Sequence, residues 1–375
     1  MMMKKSMRIL LSGFLVLLVA VFLLMVEQDK AQNGMLLSVL EKGVILAVVA
    51  VAMNLLNGFT GLFSLGQAGF MAIGAYTTAI LLIPVDAVDS VYYMNGINPG
   101  IKAFKTLLES APGAVQMAYP YLALIVGRLM GALFAALIGI PVLRLKSDYL
   151  AVATLGFSEI IRAILSSPQM DTITNGSYGL NKIPGFSSIL ITFIIAGVCI
   201  GLMALLIRST YGRAFKAIRE DEIAAEAMGI NLFRHKELSF VVSSFFTAIA
   251  GGMLAMFMRS IEAKTFSITL TYDILLIVVI GGLGSITGSV IGALLVTASK
   301  EWWLRFFDTP LSIGGISIPL FRPGFRMVVF SVLLMVVVLF YRRGLMGDRE
   351  FSWDGLYGLI KRLIKRQRPS KGGAA

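Results

Sequence analysis

The chain is punctuated by apolar runs too long for a compact soluble fold to bury. Ile9–Val26 carries no charge, and neither does ITFIIAGVCIGLMALLI, residues 191–207. A helix needs about 20 such residues, within a range of about 17–25, to cross the hydrocarbon core. Every backbone polar group must be satisfied inside the segment at that depth, which selects helix over isolated strand. Further windows fall near Gly43–Asn57, Gly61–Pro84, Tyr121–Leu143, Tyr149–Leu165, Ser188–Ile207, Leu238–Met258, Tyr272–Gly282, Gly284–Ser299 and Gly324–Tyr341. The expected fold is all-α: a polytopic integral membrane protein with about ten transmembrane or partial-span helices. Composition agrees, with 57% hydrophobic and 14% charged residues, against roughly 45–50% and 25% in soluble domains. A disordered chain, a collagen and an ordinary soluble enzyme are excluded.

The net charge of +12 reads as topology, because Lys and Arg collect in cytoplasmic loops. With the N-terminus inside, segments 1–8, 144–148, 208–237 and 342–375 hold 20 Lys and Arg against 9 acids. The outside segments 27–42, 84–119, 166–187, 259–271 and 300–323 hold 10 of each. Both termini are therefore expected in the cytoplasm, the first span being an uncleaved helix rather than a secretory signal. Arg128, Glu159, Arg162, Asp273 and Arg326 fall within or at the edges of spans. The single cysteine, Cys199, lies in an apolar run and suits packing. The single histidine, His235, has no ligating neighbours, so no metal is expected.

Four places depart from plain lipid-facing helix. Asn54–Tyr76, NLLNGFTGLFSLGQAGFMAIGAY, mixes five glycines with Asn54, Asn57, Thr60, Ser64 and Gln67. Glycine allows close helix approach and also helix breakage. A break at membrane depth must be buried in protein or line a cavity. The segment therefore reads either as tight packing or as a discontinuous stretch on a translocation path, with Asn57, Thr60, Ser64 and Gln67 facing that path. In Gly281–Ala293, GGLGSITGSVIGA, Gly284, Gly288 and Gly292 recur every four residues, a small stripe suited to close helix contact. Glycine-interrupted segments in both halves suggest an internal repeat. On Leu145–Leu165, Glu159 and Arg162 are three apart and share a helix face. A membrane charge costs about 2.5–3.5 kcal/mol on insertion scales, so the two should pair or meet water. Thr154 and Ser158, four apart, fit the same aqueous face.

The fourth place is Tyr211–Phe240, which keeps small apolar residues among six basic and five acidic ones counted over 208–237. Ala217, Ile218, Ala224, Ala225 and Met228 recur at roughly helical spacing, and Gly229 with Asn231 marks a helix stop. This predicts a short helix, a turn and an exit, forming a docking surface for a cytoplasmic partner. Residues 1–345 then form the transmembrane domain, with 208–237 as its cytoplasmic loop. Residues 346–375 form a tail whose Trp353, Leu356, Tyr357, Ile360, Leu363 and Ile364 make an apolar stripe beside Lys361, Arg362, Lys365, Arg366 and Arg368. Such a helix lies on an anionic leaflet rather than on nucleic acid. The sequence contains no G-x-x-x-x-G-K-[ST] phosphate loop, no H-E-x-x-H and no G-x-S-x-G, so an enzyme is not expected.

The run YGRAFKAIREDEIAAEAMGINLFRHKELSFVVSSFFTAIAGGMLA, residues 211–255, resembles the cytoplasmic loop and following helix of branched-chain amino-acid ABC importer permeases, most of all the M-type subunit. NLLNGFTGLFSLGQAGFMAIGAY, YLAVATLGFSEIIRAIL, TNGSYGL and ILLIVVIGGLGSITGSVIGA resemble the same family in the same order. The resemblance implies a permease subunit with no cofactor of its own, ATP being hydrolysed by partner subunits. It also implies an H-type permease partner, two cytoplasmic ATPases and a solute-binding protein. The family's coupling motif, E-A-A-x-x-x-G, aligns with Ile223–Gly229, so Ile223 stands in place of the acid and Glu222 lies one residue earlier. Glu222, Ala224, Ala225, Met228 and Gly229 are thereby the expected contacts to an ATPase. Arg342-Arg343-Gly344-Leu345 lacks the proline of the family's R-P-x-G-L ending. Urea or a short amide as solute, and a stand-alone ion-driven transporter, are the alternatives.

Overall fold

The computed structural model describes residues 5–109, 113–145, 147–308, 312–313, 316–317, 324–340, 344–347 and 350. The basic tail helix expected over 353–371 lies outside the described residues, as do the side chains of Arg326 and of Ser147 and Asp148. Fifteen helices follow in order among the described residues. They are α1 (Lys5–Gln28), α2 (Lys30–Asn54), α3 (Gln67–Leu82), α4 (Val85–Val91), α5 (Pro99–Glu109), α6 (Gly113–Val142), α7 (Ser147–Leu165) and α8 (Asp171–Thr174). Then come α9 (Ile189–Arg208), α10 (Thr210–Glu220), α11 (Glu222–Ala227), α12 (Leu232–Met258), α13 (Ile268–Gly281), α14 (Ile286–Glu301) and α15 (Phe325–Phe340). Among the described residues, five helices are long and apolar enough to cross a membrane, or up to seven if each of two bent pairs counts as one span. The chain is thus an all-α, multi-pass membrane protein. Its β content among the described residues is one pair of two-residue strands, Ser312–Ile313 and Ile316–Ser317, and a bridge between Leu180 and Ile261.

α12 is the centre of the bundle. It packs on α2, α3 and α6 and buries Phe240, Phe246, Ile249, Met253 and Ala255. It approaches α3 closely because Gly74 lies against the Ala248 carbonyl, where an added Cβ would clash with the backbone. Around this core, α1 and the outer faces of α6 and α9 leave large apolar side chains such as Phe14, Leu137 and Leu205 exposed. That pattern fits lipid rather than water.

Two boundaries differ from the sequence reading for physical reasons. The segment expected as an outer loop, 27–42, is mostly the first half of α2, interrupted at Asp29. Lys42 and Glu41 look like span terminators in sequence, but the structure gives each a partner. Lys42 Nζ is 2.7 Å from Glu301 Oε1, and the Thr192 hydroxyl donates to Glu41 Oε1 at 2.8 Å. The window Gly61–Pro84 is helical only from Gln67, and its end turns through 118° into α4. Pro84 is the N-cap of α4, and α5 follows, so much of the 85–118 stretch, expected outside the membrane, has regular structure. The remaining span boundaries agree with the structure within a few residues, except that α6 and α12 begin earlier.

Candidate functional site

α2 does not end cleanly. It runs into a π turn, Leu55–Phe59, and then into an irregular stretch, residues 61–66, before α3 starts. π turns inside helices recur at functional positions. The break is held by its own polar residues. Asn57 closes it as a clamp, its Oδ1 accepting from Ser64 N at 3.1 Å and its Nδ2 donating to Ser64 O at 3.3 Å. Thr60 donates to the Leu55 carbonyl at 3.0 Å. Thr154 Oγ1 on α7 accepts from Leu65 N at 3.0 Å. Gln67, at the start of α3, receives the Thr247 hydroxyl and donates to Ser243 Oγ on α12. Ser158 packs on the α-carbon side of Gly69, its hydroxyl buried without a hydrogen-bond partner among the described residues.

The structure therefore brings Asn57, Thr60, Ser64, Gln67, Thr154 and Ser158 together. All but half-buried Asn57 are sealed from solvent within the chain. Glu159 is not part of this cluster. Its Oε2 is 2.7 Å from Arg162 Nε, and both side chains are 33% exposed, which realises the pairing expected from their spacing.

A second break faces the first. α13 and α14 are joined by residues 282–285, with Gly282 and Gly284 at φ of +117° and +89°. Asn54, the last residue of α2 and fully buried, ties the two breaks together. Its Nδ2 lies 3.2 Å from Gly282 O, 2.9 Å from Ser285 O and 2.7 Å from Ser289 Oγ, and its Oδ1 accepts from Gly284 N at 2.8 Å. Gly58 approaches so closely that an added Cβ would lie 2.5 Å from Gly284 N. The small-residue stripe acts as expected: Gly288 and Gly292 of α14 pack against Gly281 and Ile277 of α13.

The 208–237 loop is two short helices at one end of the bundle. α10 is amphipathic and buries Phe215 and Ile218. Asp221 then caps α11, its Oδ1 accepting from Ile223 N at 2.9 Å and Ala224 N at 3.1 Å. Ala225 is buried, whereas Ile223 and Met228 are 82% and 84% exposed. Gly229 ends the element at φ +84°, a left-handed conformation that favours glycine. Glu222 pairs with Lys236 of α12, Oε2 to Nζ 2.6 Å, which steadies α11 against the bundle. The loop also reaches the first break. Arg219 Nη1 donates to Gly58 O at 2.8 Å, and Lys216 Nζ sits 5.5 Å from the centre of the Phe59 ring.

The sequence reading missed three residues of this arrangement. Asp221 was detectable, because an acidic residue just before a helical pattern is an N-cap signal. Arg219 and Lys236 carried no local signal, since their partners lie 161 and 14 residues away. Among the described residues no group of three or more His, Cys, Asp or Glu could hold a metal.

The family model for the branched-chain amino acid transport system / permease component matches residues 35–339. The high-affinity branched-chain amino acid transport system permease protein LivM of Escherichia coli (strain K12) is 30% identical over 72% of this chain and 64% of its own length. This chain thus spans just under two thirds of that relative. A probable branched-chain amino acid transport permease protein LivM from Methanocaldococcus jannaschii is 23% identical over 80% of this chain and 90% of its own. The LivH permease protein of Escherichia coli (strain K12) is 23% identical over 81% of this chain and 92% of its own. No solved structure matches the chain.

Proposed function

Because this chain belongs to the family of branched-chain amino acid transport system permease components, we propose that it is the M-type, path-forming subunit of an ATP-driven importer of branched-chain amino acids. It works beside an H-type permease, two cytoplasmic ATPases and a solute-binding protein, in the cytoplasmic (inner) membrane with both termini inside. The ATP is held and hydrolysed by the partner subunits. The observation that carries this reading is α11. It presents Ile223 and Met228 almost fully exposed at one end of an apolar bundle, while Arg219, just before it, grips the carbonyl of Gly58 in the broken segment. An exposed apolar tip on a braced helix suits a groove in a partner. The bond to Gly58 lets movement of that tip reach the break.

The mechanism that follows is alternating access. Closure of the ATPases presses on Glu222, Ala224, Ala225, Met228 and Gly229 and biases one of two packings of the spans. Asn57, Thr60, Ser64, Gln67, Thr154, Ser158 and Glu159 border the path. Burial of Thr60, Ser64, Gln67, Thr154 and Ser158 in the state described corresponds to a closed form, whose opening separates the two breaks. The test is uptake by proteoliposomes holding all subunits. Labelled leucine should accumulate with ATP, and labelled urea should not. Accumulation of urea in preference to leucine, or leucine uptake without the ATPases, refutes the reading.

A further inference from the structure

At the end of the bundle opposite α10 and α11 lies a cleft of about 250 Å³ between α2, α12, α13 and α14. Two ion pairs stand at it. Lys42 Nζ is 2.7 Å from Glu301 Oε1, and Lys300 Nζ is 2.6 Å from Asp273 Oδ2. Their side chains remain between 21% and 36% exposed, so a ligand can reach them. The cleft is layered. One helical turn beyond Lys42 is Leu46, and one turn beyond Asp273 is Ile277. On the helices running the other way, one turn before Lys300 is Val296, and one turn before Met258 is Leu254. A turn rises about 5.4 Å, so an apolar ring lies about that far beneath a charged mouth. Between the layers sits Thr297. It is 3% exposed and lines the cleft, and its hydroxyl has no hydrogen-bond partner among the described residues. A buried hydroxyl left unpaired costs free energy unless something meets it.

We propose that this cleft is an entry site for a zwitterionic α-amino acid with an aliphatic side chain. The ammonium and carboxylate insert among Asp273, Lys300, Lys42 and Glu301, Thr297 Oγ1 bonds the ligand head, and the side chain drops into the apolar ring. The charge balance selects the zwitterion. Two cations and two anions leave the cleft neutral, and a zwitterion keeps it so. A ligand with one charge strands a protein charge in a low-dielectric site, which is penalised. The cleft is smaller than the roughly 300–1,000 Å³ of drug-sized sites, in keeping with a single amino acid. The inference rests on the importer reading, and it places the solute's first contact with this subunit at the face where a binding protein would release it.

The experiment measures saturable binding of tritiated leucine to the complete complex in nanodiscs, without the solute-binding protein. Isoamylamine, which lacks the carboxylate, and 4-methylpentanoate, which lacks the amine, serve as competitors. Leucine uptake by the same subunits, reconstituted in proteoliposomes together with the solute-binding protein, is measured in parallel. Unlabelled leucine should compete at least about tenfold better than either single-charge analogue. The Asp273→Lys/Lys300→Asp double variant keeps an ion pair but reverses its polarity, and it should bind leucine at least about tenfold more weakly. Thr297→Val preserves shape and should weaken binding about five- to tenfold, which decides the matter if the double variant does not assemble. Leucine binding unchanged in both variants, or equal competition by the analogues, overturns the site while leaving the importer reading intact. A wild-type complex that takes up no leucine overturns both.

Discussion

Replacing Asn54 by alanine should unfasten the two broken segments from each other. The side chain is fully buried, and it joins α2 to Gly282 O, Ser285 O, Ser289 Oγ and Gly284 N. The amide has two hydrogens to share among its three acceptors, so with the Oδ1 bond it makes at most three full hydrogen bonds, worth about 3 kcal/mol at about 1 kcal/mol net each. Hydrogen bonds between membrane helices measure nearer 0.6 kcal/mol on average, which would give roughly 1.8. Asn54→Ala also leaves the part-buried Gly284 N–H without this acceptor, whereas the Ser285 carbonyl keeps Ser289 N and Oγ as donors. The expected loss is therefore about 2–3 kcal/mol, measured as the shift in denaturation by SDS in mixed micelles. Ser289→Ala removes one of the four partners and should cost under about 1 kcal/mol. An Asn54→Ala cost as small as that of Ser289→Ala would show that the breaks are held by backbone packing, and the picture of a polar tie would be wrong.

Three further outcomes follow from the same geometry. Gly229 sits at φ +84° and proline is fixed near −65°, so Gly229→Pro should insert normally yet lower leucine uptake per ATP hydrolysed at least about tenfold; a normal ratio removes the coupling role. Arg219→Met deletes the donor to Gly58 O, and at roughly 1–1.5 kcal/mol, allowing for its part exposure, uptake should fall about five- to tenfold with ATP hydrolysis retained, whereas loss of both activities together would point to misassembly. Cysteines at Ser64 and Gln67, in a Cys199→Ser background, should resist thiol reagents at rest and react during ATP turnover, while constant inaccessibility would remove both residues from the path.

Much of this architecture is written locally in the chain. Apolar runs of bilayer length gave α1, α7 and α9 to within a few residues, because a span is a composition property of one segment. The break before Gln67 was legible for the same reason: glycines and polar side chains crowd together between Asn54 and Tyr76. The start of α2 was hidden, since Glu41 and Lys42 read as terminators until Thr192 and Glu301 arrive from distant helices. Likewise the ties from Arg219 to Gly58 and from Asn54 to the second break span 161 and over 200 residues. Pairings of that kind are set by tertiary packing and leave no periodic trace. Glu222 shows the converse. Its displacement from the family motif looked like a departure, and the structure gives the carboxylate a bracing partner in Lys236.

The central claim is that foreign motors grip the α11 tip from the cytoplasm. A cysteine at Met228, in the Cys199→Ser background and in intact membranes, tests it most directly. It should crosslink to an ATPase subunit, with a yield that changes on nucleotide binding, and it should resist impermeant thiol reagents applied from outside. Modification from the outer face, or no crosslink to an ATPase in any nucleotide state, would contradict the account.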